Sequence, residues 1–370
     1  MNLENIIVLE DSSKAKFGGG QKVTLKVIEY LNVKYNVVVA DCSDSSLFSL
    51  ELKKRDIDHF KLLCIGSVNN SKIQHIFELL LSLVFTVYNI IFIYKYCKLH
   101  GYTRENTLLY ATTKKALILS YIMHKLFRYQ FIYHAHLVER GYILKFIRYI
   151  LYSAKEIVCV SEVVADQLKG LKTQIIYNPI NQNTQIKAKN LDKAKVTIAT
   201  ISSLNHIKGI EYFMQSYQFL NLNYEVEYQI YGEGEYKREL QKYENKNITL
   251  KGYVNDIITL LKNEVDILVV PSIIPESFGM VILEAFSCGV PVISTGMGMQ
   301  KILIEKSKAG RTVQLKNAKE IADAINSILE NREEYTFYSK NAIIFAKKFS
   351  VTRFNEKIEK VFESCDITNK

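Results

Sequence analysis

Short, largely apolar runs recur along this chain, most of them separated by segments with helical spacing. They fall at 6–10, 37–40, 59–65, 107–111, 131–134 and 157–160, and again at 196–201, 225–231, 248–250, 267–270 and 290–294. A helix between successive strands rules out the tight turn of an antiparallel hairpin, so the pattern calls for parallel sheets covered on both faces. At 370 residues the chain exceeds one comfortable core. The polar stretch that includes NPINQNTQIKAKNLDKAK lacks any period and divides the two sets of runs. The expected plan is a Rossmann-like domain at 1–178, a linker at 179–195, a second Rossmann-like domain at 196–348 and a helix-spaced tail at 349–370.

Charge narrows the partners. Lys and Arg number 48 against 38 Asp and Glu, a net charge of +10, and residues 72–172 hold 14 of the bases but 6 of the acids. No finger, basic zipper or RNA-binding signature accompanies this excess, so nucleic acid is not expected. An anionic membrane surface or an acidic lipid-linked substrate fits it better. Cys42, Cys64, Cys97, Cys159, Cys288 and Cys365 are scattered without metal-ligand or disulfide spacing, the pattern of reduced packing cysteines. MNLENIIVLEDSS has no basic region ahead of its apolar run, so a signal peptide is not expected and a cytoplasmic chain is, peripheral on the inner face of the membrane. The stretch 76–94 is interrupted by Glu78 and Asn89, and its uncharged part, 79–94, falls short of the roughly 20 residues a span needs. A buried or membrane-touching helix is expected there.

The densest chemistry lies at 271–293, PSIIPESFGMVILEAFSCGVPVI. The run 267–270 ends in Pro271 as a buried parallel strand would, and the chain then turns into a helix expected to reach Cys288. Glu276 and Glu284 stand eight residues apart, within roughly 80° of one helical face. Free amides of residues 277–279 would favour an anion at the helix start, Gly279 would admit a phosphate closely, and Glu284 could accept from paired ribose hydroxyls. The plain alternative is a helix capped by Ser277 that carries two solvated glutamates.

Together, PS, ESFG, EA and GVPVI resemble the nucleotide-sugar signature of glycosyltransferase family 4, retaining enzymes with the GT-B fold. The resemblance implies two Rossmann-like domains facing across a cleft, with a tail that packs back on the first. It implies donor contacts from Ser277, Phe278, Gly279, Met280 and Glu284, with Glu276 orienting sugar hydroxyls at the reacting centre. GGGQK at 18–22 is similar to the family's GGxE-type loop, with Gln21 in place of the acid, and implies donor contact at Gly19 and Gly20. In YHAHL, either His134 or His136 would reach the donor sugar, and His136 is preferred. ISSLNHIKGIEYF is similar to the family's diphosphate grip: Lys208 and Gly209 match, while Ser203 occupies the position of an Arg. Lys208 is therefore a catalytic candidate that neutralises the leaving group. Gly232 and Gly234 in IYGEGEY, and Gly252 with Tyr253 in LKGYV, match segments beside the base. GMGMQKIL at 296–303 matches the segment beneath the nucleotide, with Lys301 where an acid is usual.

No metal is expected. The His-x-His spacing lacks a completing carboxylate or thiol, and the DxD of Asp56 and Asp58 follows Lys53, Lys54 and Arg55 with no strand leading into it. The expected function is retaining transfer of a hexose from a nucleotide-diphosphate donor to an acceptor hydroxyl. The acceptor is a glycan or lipid-linked glycan of surface polysaccharide synthesis, and the nucleotide sugar is a substrate, so no cofactor is required. A glycogen-phosphorylase-like enzyme is set aside for want of a lysine environment suited to pyridoxal. A non-catalytic subunit that kept the fold is the rival from another class, and Ser203 and Lys301 are the features that favour it.

Overall fold

The computed structural model of the chain describes residues 2–10, 18–41, 46–64, 72–181, 186–191, 195–221 and 224–365, with the backbone alone at 46 and 72–80. Cys42, residue 65 of the third expected strand, 182–185 and 192–194 of the polar stretch, and 366–370 of the tail lie outside the described residues. The chain divides into two compact units, 1–177 with 354–370, and 178–353.

In the first unit, seven strands form one parallel sheet. They are β1 (Asn5–Glu10), β2 (Asn36–Asp41), β3 (His59–Lys61), β4 (Thr107–Ala111), β5 (Gln130–Ala135), β6 (Glu156–Cys159) and β7 (Thr173–Ile175), in the order β3-β2-β1-β4-β5-β6-β7. Every residue of β1 is buried, because Ile7 has Val38 on one side and Leu109 on the other while helices cover both faces. Strand order reverses between β1 and β4, the kind of point where open α/β sheets bind ligands.

The crossover helices are α1 (Gly19–Leu31), α2 (Ser46–Lys54), α3 (Lys72–Leu99), α4 (Lys114–Phe127) and α5 (Gly141–Leu151). Val23, Val27 and Leu31 recur every fourth residue and turn one stripe of α1 into the core. Thr113 starts α4 by accepting from the Ala116 amide at 3.3 Å. The last helix, Val351–Cys365, follows the same rule: Phe354, Ile358, Val361, Phe362 and Cys365 are buried in the first unit's core. Each large apolar side chain so buried contributes about 1.5–3 kcal/mol.

The second unit holds β8 (Lys195–Ile201), β9 (Glu225–Tyr231), β10 (Ile248–Gly252), β11 (Ile267–Val270), β12 (Val292–Ser294) and β13 (Gly310–Thr312). Their order is β10-β9-β8-β11-β12-β13, again parallel, with the reversal between β8 and β11. The described part of the polar stretch is docked on this unit. Ile180 bridges Ser350, Leu191 is buried in the core, and Lys189 Nζ donates to the carbonyls of Leu261 and Val265 at 2.8 and 2.6 Å. Both sheets thus match the parallel α/β expectation. The edge strands β7 and β13 carry TQI and GRT, too short and polar to register as apolar runs.

Candidate functional site

The loops after β8, β11 and β12 meet at the second reversal point. Lys208 sits on a single 3-10 turn, His206–Lys208, and the neighbouring Ile207 carbonyl accepts from the Ile273 amide at 2.9 Å. That bond ties the β8 loop to the β11 loop. Glu276 is held from the other side: its amide donates to Met297 O at 3.2 Å and its carbonyl accepts from Met299 N at 3.0 Å. Gly298 lies against this backbone with φ of 65°, and a Cβ there would stand 2.6 Å from Glu276 O.

Side chains converge within this frame. Lys208 Nζ donates to Glu276 Oε1 in an ion pair, and Ser272 Oγ donates to the same oxygen at 3.0 Å. Both charged side chains are about one-fifth exposed, at 21% and 23%, so the pair is reachable from solvent but largely shielded from it. Glu276 Oε2 has no protein donor among the described residues. Ser272 is in turn placed by Thr295, whose Oγ1 donates to the Ser272 carbonyl. Gln300 is fully buried beside Thr295 and leaves its Nε2 without a partner.

The helix differs from expectation. It spans Met280–Ser287, and Gly279 precedes it in the left-handed region at φ 81°. Glu276 is therefore outside the helix, in an extended segment that bridges Gly298, and the argument that placed both glutamates on one helical face does not hold. Neither does a Ser277 cap or a helix start at 277–279, because the left-handed Gly279 breaks the helix just there. Glu284 alone rides on the helix, half-buried. The Phe278 side chain is buried against Phe349, so only its backbone is left to meet a ligand, while Ser277 and Met280 are half-buried.

Gly232 and Gly234 are demanded by the chain's own packing. A Cβ at either would stand 1.8 Å from Ser202 O or 2.1 Å from Leu204 O. Tyr253 and Ser203 are exposed, and Ser203 Oγ accepts from Asn205 Nδ2 at 3.0 Å. Lys301 is exposed and pairs with Glu305 one turn along its helix at 3.8 Å.

The remaining candidates belong to the first unit. Gly19 and Gly20 open α1 and are exposed, and Gln21 Oε1 accepts from the Gly18 amide at 3.3 Å. At the end of β5, His134 is fully buried with Nδ1 bonded to the Tyr110 hydroxyl, whereas His136 is half-buried. The two rings lie 4.1 Å apart, and Nε2 of each lacks a partner. Burial drives His134 well below the ordinary imidazole range and brings His136 down to about 4, so both are neutral near pH 7. Asp56 and Asp58 are exposed at a turn, Asp56 with φ of 53°. Among the described residues, no three His, Cys, Asp or Glu side chains gather as a metal-holding group.

Ser272, Thr295, Gln300 and Glu10 were not singled out from sequence. Glu10 ends β1 at the first reversal point, 2% exposed, and its Oε2 accepts from Thr112 at 2.7 Å and Thr24 at 3.0 Å. An acid that closes an apolar strand run was the available signal for Glu10. Ser272 had only its place after Pro271.

Residues 181–345 match the family model described as Glycosyl transferases group 1. An uncharacterized glycosyltransferase of Methanocaldococcus jannaschii is 25% identical over 226 residues, 59% of this chain and 62% of that protein. The O-antigen biosynthesis glycosyltransferase WclY of Escherichia coli is 24% identical over 209 residues, 53% of this chain and 57% of that protein. The matched part of the chain thus spans less than two thirds of either relative. Among solved structures, HepE of Anabaena in complex with UDP and glucose aligns with a TM-score of 0.79 over 98% of this chain and 100% of that one, at 21% identity. That likeness shows the fold, two Rossmann-like α/β domains of the GT-B class.

Proposed function

We propose that this chain is a retaining glycosyltransferase that moves a hexosyl group from a nucleoside-diphosphate donor to a hydroxyl of a lipid-linked glycan in surface polysaccharide synthesis. The observation that carries the reading is the Lys208–Glu276 pair, braced by Ser272 at the β8/β11 reversal. A donor diphosphate arriving there competes for the Lys208 ammonium. The carboxylate released from that pair becomes an acceptor for sugar hydroxyls, while Ser272 keeps it in place.

As the bond from the anomeric carbon to the diphosphate breaks, its electron pair stays on the leaving oxygen, where Lys208 offsets the growing charge. The first-turn amides of the helix Met280–Ser287 add their dipole. The acceptor oxygen bonds to the anomeric carbon on the face the diphosphate leaves, and the acceptor proton passes to the departing phosphate. This route uses no protein nucleophile and no metal. Glu284 takes the ribose. The O-antigen role of the Escherichia coli relative and the UDP and glucose held by HepE support the choice of acceptor and donor classes.

The test is a panel of nucleotide sugars incubated with the protein and a lipid-linked glycan, with the product's anomeric configuration read by NMR. A transferred sugar with the donor's configuration supports the proposal. An inverted product refutes the retaining course, and no release of nucleoside diphosphate from any donor refutes the enzyme.

A further inference from the structure

α3, α4 and α5 lie side by side in the first unit, with Tyr94 stacked on Phe127 at 4.0 Å and Tyr121 set edge-on to Tyr149 at 6.4 Å. Their outward surfaces are apolar to a degree that water does not favour. From Leu81 to Tyr88 no side chain of α3 is buried, although the stretch reads LSLVFTVY. Leu83, Val84, Val87, Tyr88 and Ile91 are exposed at one-turn spacing. On α5, Ile147, Ile150 and Leu151 turn inward while Tyr142, Ile143, Phe146 and Tyr149 turn out, and Phe146 is 51% exposed. So many exposed large apolar side chains on neighbouring helices mark a docking face.

Charge identifies what docks. Between residues 81 and 155 the only acids are Glu105 and Glu139, paired with Arg104 at 2.5 Å and Lys114 at 3.1 Å. The cations are interleaved with tyrosines: Lys98 lies over Tyr94 at 5.5 Å, Lys125 over Tyr121 at 5.3 Å and Lys145 over Tyr142 at 5.7 Å. Arg148, which the amphipathic pattern of α5 alone would enrol, is not among them. Its guanidinium donates to the carbonyls of Gln167 and Lys169 at 3.0 and 2.9 Å. A second copy of the chain would set this excess of positive charge against itself. An anionic bilayer suits each component: the rings and aliphatic groups enter the headgroup boundary, and the lysine stems reach back to phosphate. Among the described residues no helix is long and apolar enough to cross a membrane.

We infer that the α3–α4–α5 face docks on an anionic lipid bilayer. The inference deepens the lipid-linked acceptor reading of the proposed function, but its measurement does not depend on that reading. The full chain is floated with vesicles of phosphatidylcholine alone and with phosphatidylglycerol added. It should rise with the second and not the first, and salt should release it. Lys125→Glu with Lys145→Glu should lower partitioning at least about 25-fold, roughly 5-fold for each cation lost. Val87→Asp with Phe146→Asp should remove the remainder. All four side chains lie at the surface, so circular dichroism and transfer to a water-soluble acceptor should be unchanged. Retained transfer alongside lost flotation separates docking from catalysis. Equal flotation on both vesicles, wild-type flotation of the charge-reversed variant, or a lipid-free dimer abolished by Phe146→Asp would each overturn the inference.

Discussion

Each sheet reverses its strand order once, and a glutamate stands beside each reversal, yet the two are furnished in opposite ways. Glu276, beyond β11, shares one oxygen between Lys208 and Ser272 and keeps about one-fifth of its side chain in solvent. Glu10, at the end of β1, is 2% exposed, and the hydroxyls of Thr24 and Thr112 both point at its Oε2. The same topology puts a carboxylate in the same kind of place twice. Solvent access and the nature of the donor set the two apart: a partly exposed ammonium is open to solvent, whereas two buried hydroxyls on α1 and after β4 make an internal brace.

The strongest test of this contrast is Glu276→Ala. Transfer should fall ~30- to 1000-fold, about 2–4 kcal/mol in the transition state, with an unaltered unfolding midpoint. Near-wild-type turnover of the folded variant would remove Glu276 from the site.

Acid should weaken the first unit. His134 and His136 are held neutral, so the native state binds fewer protons than the unfolded chain once the pH drops below the ordinary imidazole value. Stability is then whole above about pH 6.5 and declines as pH approaches about 4, by roughly 2 kcal/mol for His136 after allowance for its partial exposure. Urea titrations across that window should show the decline, and His136→Asn should reduce it. A flat profile in the wild type would mean that the two rings are not held neutral.

Glu10→Gln probes the other side of the comparison. It should cost about 1–2 kcal/mol of stability, read from chemical denaturation, with kcat nearly unchanged. A large fall in kcat at unchanged stability would instead make the first reversal a reacting site, and the contrast would collapse.

The smallest effect is expected of Ser272→Ala, which removes one hydrogen bond from Glu276 and leaves the ion pair. A loss of about 1 kcal/mol, roughly 5-fold, should appear in kcat with KM for the donor little changed, and Ser272→Thr should restore part of it. A change confined to KM would assign Ser272 to binding instead of positioning.

Much of this was legible in the residues themselves. The second set of runs marks β8, β9 and β11 within a residue at either end; β11, ILVV, is buried and apolar throughout, while β8 and β9 keep apolar residues among a few polar ones. Lys208 and Glu276 were singled out 68 residues apart, and they meet. The helix boundary was misplaced because ESFGM carries helix-compatible residues on both sides of one glycine, and those residues do not announce that Gly279 takes a left-handed φ of 81° and stops the helix from starting earlier. Arg148, one of the cations of the basic stretch, is taken up by the backbone carbonyls of Gln167 and Lys169 about twenty residues away, groups that no side-chain pattern signals.

Local pattern by itself determined the parallel α/β architecture and the loops where a ligand would be met, since side-chain period and strand length answer to nearest neighbours and burial. Only the tertiary structure decided which carboxylate stays available, which histidine is locked against Tyr110 and which apolar faces of α3 and α5 remain uncovered. Those outcomes depend on hydrogen-bond partners and neighbouring surfaces brought together from distant parts of the chain, and no spacing within a single segment encodes them.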